Sequence, residues 1–517
     1  MVTPFGMQLI MQPGLRGGST NFAAPSRRRR IGAAFLSLRV KLWFSSENDR
    51  RVTWHGPHCS SNHALTCCIP KVKSFLTMRK NKGRTGRKRR RKQYSSLPSN
   101  GVNQSHKLEY IQLRKWLKER GFDDRNLRPA QFSDTGRGLM TTKAFQAGEL
   151  IISLPEKCLL TTRTVLSSYL GENIAKWKPP ISPLIALCTF LIAEKYAGEQ
   201  SVWKPYLDVL PKTYTCPVCL EQEVVRLLPE PLRRKAEEQR TVVQELYTSS
   251  KTFFFSLQSL FTENVETVFN YDALRWAWCT INTRTVYMKH LQRECFSREP
   301  DVYALAPYLD LLNHSPNVQV KAAFNEQTRC YEIRTDSHCR RHEELFISYG
   351  PHDNQRLLLE YGFVAINNPQ SGVYVSADIL LKHLLSADKQ RNMKLSILKD
   401  HNLLENLTFG RDGPSWRLLT ALKLLCLGAD EFTYWKKVLL GDKISARNEE
   451  SSLNIAAKIC FSLIEETQHI LHQISQMKKD KVNLENQLAL VEVLRLEDLT
   501  ILQTSAAILY NLHTAIT

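Results

Sequence analysis

Apolar residues recur along this chain with two different periods. Leu108, Ile111, Leu113, Trp116 and Leu117 fall at helical spacing and predict a helix ending near Gly121. The stretch FSDTGRGLMTTKAFQAGELIISLP, Phe132 to Pro155, changes character: a Gly-x-Gly turn leads into short strand-like segments stopped by Pro155. Residues 156–300 return to helical patterning. PEPLRRKAEEQRTVVQELY sets apolar residues on one face and charges on the other, and SPLIALCTFLIA, from Ser182 to Ala193, reads as a buried helix too short to span a bilayer. Beyond His314 strands reappear in VQVKAAF, CYEIRT and ELFISYG, and from about residue 376 the pattern is helical to the C-terminus. The fold class this predicts is α+β: β-rich pieces interrupted by a helical insert near 180–275, within a domain of about 105–375, followed by an all-α domain over 376–517. It lacks the repeating βαβ of a dinucleotide-binding fold, and TGRGL lacks that fingerprint's third glycine.

The net charge of +21 belongs to one end of the chain. Residues 1–100 hold 21 Lys and Arg against two acids, Glu47 and Asp49, and so carry +19; the remaining residues are nearly neutral. Residues 1–104 therefore read as a disordered basic extension. Within it, 1–77 resembles a transit peptide in composition, but the plainer reading is an extension upstream of a start at Met78. Arg79 to Lys92, ten basic residues in fourteen, reads as a nuclear address or a solubilising tail, and touches nucleic acid only non-specifically because no aromatics interleave it. Nuclear and cytosolic location and a monomeric state are expected. Of the 13 cysteines only Cys216 and Cys219 form a CxxC, which without a second pair reads as reduced thiols and predicts no metal site.

Candidate chemistry sits in PYLDLLNHSPNVQV, from Pro307. Asp310, Asn313 and His314 lie among leucines, where each is costly to bury without partners. A second stretch, EELFISYGPHDNQRLLLEYGFV, follows from Glu343. NHS at Asn313–Ser315, YG at Tyr349–Gly350, LEYGF at Leu359–Phe363 and GRG at Gly136–Gly138 upstream, in that order and with these intervening elements, resemble the SET-domain methyltransferases. The long helical insert and helical C-terminal domain resemble the branch typified by plant Rubisco large-subunit methyltransferase. The resemblance spans residues from about Lys107 to the C-terminus.

It implies a SET β-fold in which the Asn-His and Tyr segments pass each other in a pseudoknot, enclosing S-adenosylmethionine, with the C-terminal domain as a platform for a protein substrate. It implies that the Thr135-Gly136-Arg137-Gly138 loop meets the methionine part of the cofactor, where glycines permit close backbone approach. Asn313 would meet the amino-acid end and His314 backbone groups the adenine; Arg284 would face the carboxylate, Asp310 would lie on the cofactor side, and Tyr361, Gly362 and Phe363 would pack on the adenine. Tyr349 is the implied catalytic residue. Methyl transfer from a sulfonium is an in-line displacement, so the protein must align a neutral amine and exclude water. A lysine amine, ordinarily titrating near 10.4, must lose its proton, which a desolvated channel beside a sulfonium favours. The expected activity is protein-lysine N-methylation, on a histone or another protein. One relative in this branch methylates histidine through a polar amide just after the Arg; here Thr285, Val286 and Tyr287 follow Arg284. The alternatives are a histidine methyltransferase and a SET-like binding protein without turnover.

Overall fold

The computed structural model describes residues 101–383 and 388–515. The basic run Arg79–Lys92 and residues 1–77 lie outside them. The described chain already pairs at Val102–Asn103, which adds an edge to the strand Leu127–Phe132, ahead of the domain start expected near 105.

The first helix, Leu108–Glu119, buries Tyr110, Leu113, Trp116 and Leu117. Leu108 and Ile111, expected on that face, point outward, because Tyr110 completes the three- and four-residue steps instead. Leu127–Phe132 and Gly136–Thr141 then form an antiparallel hairpin. A second sheet places Cys330–Thr335 between Leu150–Pro155 and Val320–Asn325, all antiparallel. Between these sheets in sequence lies the helical insert. Its helix Pro183–Ala197 is capped by the Ser182 hydroxyl, which accepts from the Ile185 amide at 3.2 Å, and is buried on nearly every side. Glu230–Ser256 buries Leu232, Ala236, Val243 and Phe253 along one stripe. Tyr271–Arg284 delivers Arg284 at its last turn and continues straight into the strand Thr285–Tyr287.

The C-terminal domain is dominated by two long helices, Ala446–Asp480 and Glu485–Thr514, packed on each other. It is not all-α as expected: Val373–Tyr374, Thr408–Gly410 and Gly413–Pro414 form a small antiparallel sheet. The reason is local. Arg411 and Asp412 form a two-residue hairpin loop closed by Gly413, whose φ of +103° is open to glycine alone.

The core is divided. One apolar cluster spans the strands and the insert, and another fills the C-terminal domain. A third joins them: Leu220, Val224 and Leu228 of the insert and Leu358 and Leu359 pack against Leu488, Val491 and Leu494 of the last helix. Among the described residues no helix is long and apolar enough to cross a membrane.

Candidate active site

Three segments distant in sequence cross at one place. Asn313–His314 pairs in parallel with Phe346–Ile347, and the Ser315 amide donates to the Ile347 carbonyl at 2.9 Å. On the other side of the same segment, the Leu345 amide donates to the Leu139 carbonyl at 2.8 Å. Two-residue pairings contribute few backbone hydrogen bonds, and side chains supply the rest. The Asn313 amide nitrogen donates to the Arg137 carbonyl at 2.9 Å and to Glu344 Oε1 at 2.8 Å. The Thr135 hydroxyl donates to the same carboxylate, at 2.8 and 2.6 Å from its two oxygens. Gly138 lies against this cluster: a Cβ there would stand 2.6 Å from Glu344 Oε1 and 2.9 Å from Asn313 Nδ2. Thr135, Gly138 and Asn313 are thus brought together, and Gly136 makes the turn at φ +76°. The Arg137 side chain leaves the cluster and donates to the Val209 carbonyl at 2.7 Å.

Tyr349 stands at the end of the crossing. Its amide donates to His314 Nδ1 at 3.0 Å, and its hydroxyl donates to the Leu312 carbonyl at 2.6 Å. Its carbonyl lies 3.0 Å from His352 Nε2. Burial raises its phenol above the ordinary tyrosine range, with the Arg284 charge opposing and the charges of Asp310 and Glu344 adding to the shift. Burial, with His352 alongside, pushes His314 down to about 4, so its ring is neutral at physiological pH. Because Nδ1 accepts from Tyr349, the proton of that neutral ring sits on Nε2. The Tyr361 ring packs 4.9 Å from Tyr349 and 5.9 Å from His352, whereas Phe363 is half-buried and meets His314 and Tyr349 at 6.1 and 6.2 Å. Leu357–Tyr361 is a π-helical turn, an uncommon device that rotates Tyr361 toward Tyr349 while Leu358 and Leu359 face the last helix. Gly362 closes it in the left-handed region and faces the insert; a Cβ would stand 2.8 Å from the Cys216 amide nitrogen.

Arg284 and Asp310 form an ion pair at 3.1 Å, with side chains 17% and 2% exposed. Arg284 also donates to the Asp310 carbonyl at 3.1 Å, and the Tyr206 hydroxyl donates to Asp310 Oδ2 at 3.0 Å. Burial opposes the charge on Arg284, but Asp310, Tyr214 and Tyr206 outweigh it, and the guanidinium titrates above its ordinary value. The fork expected to meet a cofactor carboxylate is therefore partly engaged by the protein's own carboxylate.

Sequence reasoning passed over Glu344, Tyr206 and His352. Glu344 stands in the quoted EELFISYG stretch, and its place five residues before Tyr349 was the available signal. Tyr206 and His352 gave none, because their roles depend on where the insert and the following turn pack.

Among the described residues Arg284 Nε, Asp310 Oδ1 and His314 Nε2 are buried without a hydrogen-bond partner, an arrangement costly unless a ligand supplies the missing bonds. An orphaned donor on Arg284 and an orphaned acceptor on Asp310 fit a zwitterionic ligand. The CxxC packs against the Glu360–Gly362 segment. Cys219 Sγ is 3.5 Å from Cys279 Sγ, and Cys216 Sγ faces the Glu360 carbonyl at 4.0 Å.

The SET domain family model matches residues 136–350 and that of the Rubisco LSMT substrate-binding domain residues 386–502. The chain is 65% identical over 440 residues to human SET domain-containing protein 4, covering 85% of this chain and 100% of that protein. It is 26% identical over 338 residues to the human actin-histidine N-methyltransferase, covering 64% of this chain and 54% of that protein. A solved structure of Rubisco LSMT bound to AdoMet superposes with a TM-score of 0.51 at 21% identity, over 79% of this chain and 93% of that one.

Proposed function

Since the chain belongs to the SET-domain methyltransferase family and carries that family's Rubisco LSMT-type substrate-binding domain, we propose that it transfers a methyl group from S-adenosylmethionine to a lysine amine of a protein substrate. The observation that carries this reading is the meeting of the Gly138, Asn313 and Tyr349 segments beside buried polar atoms that have no partner among the described residues.

When bound, S-adenosylmethionine supplies an electrophilic methyl group on a sulfonium. Asn313 and the backbone beside Gly138 would hold its amino-acid end, and Arg284 Nε would donate to its carboxylate. Phe363, half-buried beside His314, offers a ring face to the adenine. Tyr349 orients the incoming amine. Its hydroxyl proton is committed to the Leu312 carbonyl, so the phenol oxygen presents lone pairs, and its raised pKa keeps it protonated at neutral pH. It therefore acts as an acceptor that aligns the amine, and the amine's proton departs to solvent.

Lysine is favoured over histidine because Thr285, Val286 and Tyr287 follow Arg284, with Val286 buried. An imidazole must be held at one ring nitrogen while the other attacks, and this stretch offers no side-chain amide to do so. The helical domain presents the protein substrate, with nuclear and cytosolic proteins, histones included, as candidates. The test is transfer of labelled methyl from S-adenosylmethionine to histones and to cell extract, followed by residue-level mass spectrometry. Methyl-lysine is the expected product. Methyl-histidine would overturn the lysine assignment, and donor binding without transfer to any protein would overturn the enzymatic one.

A further inference from the structure

Glu344 is a carboxylate without a cation. It is half-buried, and its partners are the neutral Thr135 hydroxyl and Asn313 amide. Among the described residues no Lys or Arg pairs with it; Arg137, the basic residue of the adjoining loop, turns away to Val209. Its charged neighbour Asp134 is also negative, and burial together with that charge raises the Glu344 carboxyl above its ordinary range. Holding an unpaired carboxylate in such a place is unfavourable unless a positive group arrives.

The position indicates what arrives. Glu344 bonds the same two elements, the Gly-x-Gly loop and Asn313, that the proposed function assigns to the amino-acid end of the donor. Both amide hydrogens of Asn313 are used on Arg137 and Glu344, which leaves its Oδ1 as an acceptor. Nothing bulkier than hydrogen fits on Gly138 between the two side chains. Glu344, Arg284 and Asp310 all act electrostatically on Tyr349, so one net negative group and one ion pair surround the same ring. An acceptor set with a net negative charge matches an ammonium, and Arg284 matches a carboxylate.

We propose that Glu344 is the counter-charge for the α-ammonium group of the bound cofactor, and that it fixes the Gly-x-Gly loop and Asn313 in register for that contact. This inference rests on the donor reading above. It is tested by calorimetric titration of the full chain and its Glu344→Gln variant with S-adenosylhomocysteine, which keeps the ammonium, and with the analogue lacking the amino group. The expected result is roughly tenfold weaker binding of S-adenosylhomocysteine by the variant, with the affinity for the des-amino analogue changed less than about twofold. Equal losses for both ligands, or no loss for either, would overturn the inference and leave Glu344 as a loop staple. Failure of the wild-type chain to bind S-adenosylhomocysteine at all would overturn the donor reading as well. Should Glu344→Gln not fold, the wild-type chain decides. Its preference for the ammonium-bearing ligand is expected to decline as pH falls from 8 to 4 and the carboxylate protonates, and a flat preference would overturn the assignment.

Discussion

Two of the places where distant parts of the described chain meet are closed chiefly by different materials. At the candidate active-site crossing, the Asn313 and Phe346 segments share a two-residue pairing, and the closing contacts are hydrogen bonds donated by Asn313, Thr135 and Tyr349, one of them accepted by His314. At the junction with the C-terminal domain, Leu358, Leu359, Leu488, Val491 and Leu494 form the apolar centre, and hydrogen bonds such as Arg495 Nε to the Leu227 carbonyl at 2.9 Å and the Glu221 amide to Gln487 Oε1 at 2.8 Å lie around it. The first depends on the identity of each partner, because a buried donor or acceptor left alone carries its full desolvation cost. The second depends on volume and accepts any apolar side chain of similar size. Both converge on the π-helical turn Leu357–Tyr361, which presents leucines to one and a tyrosine to the other.

The contrast can be broken first at Tyr349. Tyr349→Phe keeps the ring contacts and removes only the hydroxyl bound to Leu312; turnover is expected to fall about 10³-fold, roughly 4 kcal/mol on the transition state, with S-adenosylhomocysteine binding retained and unfolding free energy lowered by no more than about 1–3 kcal/mol. Unchanged turnover would remove Tyr349 from the mechanism. Next comes the apolar junction. Leu488, fully buried, should cost about 3 kcal/mol of unfolding free energy as Leu488→Ala, read from denaturant midpoints, whereas Leu488→Met should cost under about 1.5 kcal/mol. A methionine as damaging as alanine would show that the junction is as shape-specific as the active site. At Gly138 one methyl group suffices: Gly138→Ala should weaken S-adenosylhomocysteine binding about tenfold, about 1.4 kcal/mol, by displacing Glu344 and Asn313. Calorimetry at constant pH reads this directly.

The smallest effects are those of pH, and they run in opposite directions. The folded-state pKa of His314 is depressed to about 4, largely by burial. The unfolded chain therefore binds more protons there, and stability is lost as pH falls from about 6.5 through 4. Asp498, on the last helix, is pushed up to about 7 by burial, with Arg495 opposing and Asp353 and Glu497 adding to the rise. There the folded state binds more protons, so its contribution is lost as pH rises from about 3.9 to 7. Asp498→Asn should accordingly be more stable than wild type at pH 7.5 and converge with it near pH 4 in urea unfolding. A constant difference across that range would mean that Asp498 does not titrate as its surroundings imply.

Alternation and helical spacing alone were enough to find the strands Leu150–Pro155, Val320–Asn325 and Cys330–Thr335, the buried helix after Ser182 and the long C-terminal helices. These elements are specified by their own residues, through periodicity and caps that act over a few positions. Asp310, Asn313 and His314 were legible for a similar reason, since polar residues inside an apolar run reveal that something must satisfy them, whereas the YG motif was legible only through its resemblance to the SET-domain family. The burial of Tyr110 in place of Ile111, the engagement of Arg284 by Asp310 and the turning of Arg137 toward Val209 were decided elsewhere. So was the carboxylate of Glu344, which has meaning only once residues 135, 138 and 313 surround it. Each depends on groups tens to hundreds of positions apart, whose distance, exposure and charge exist only after the chain has folded.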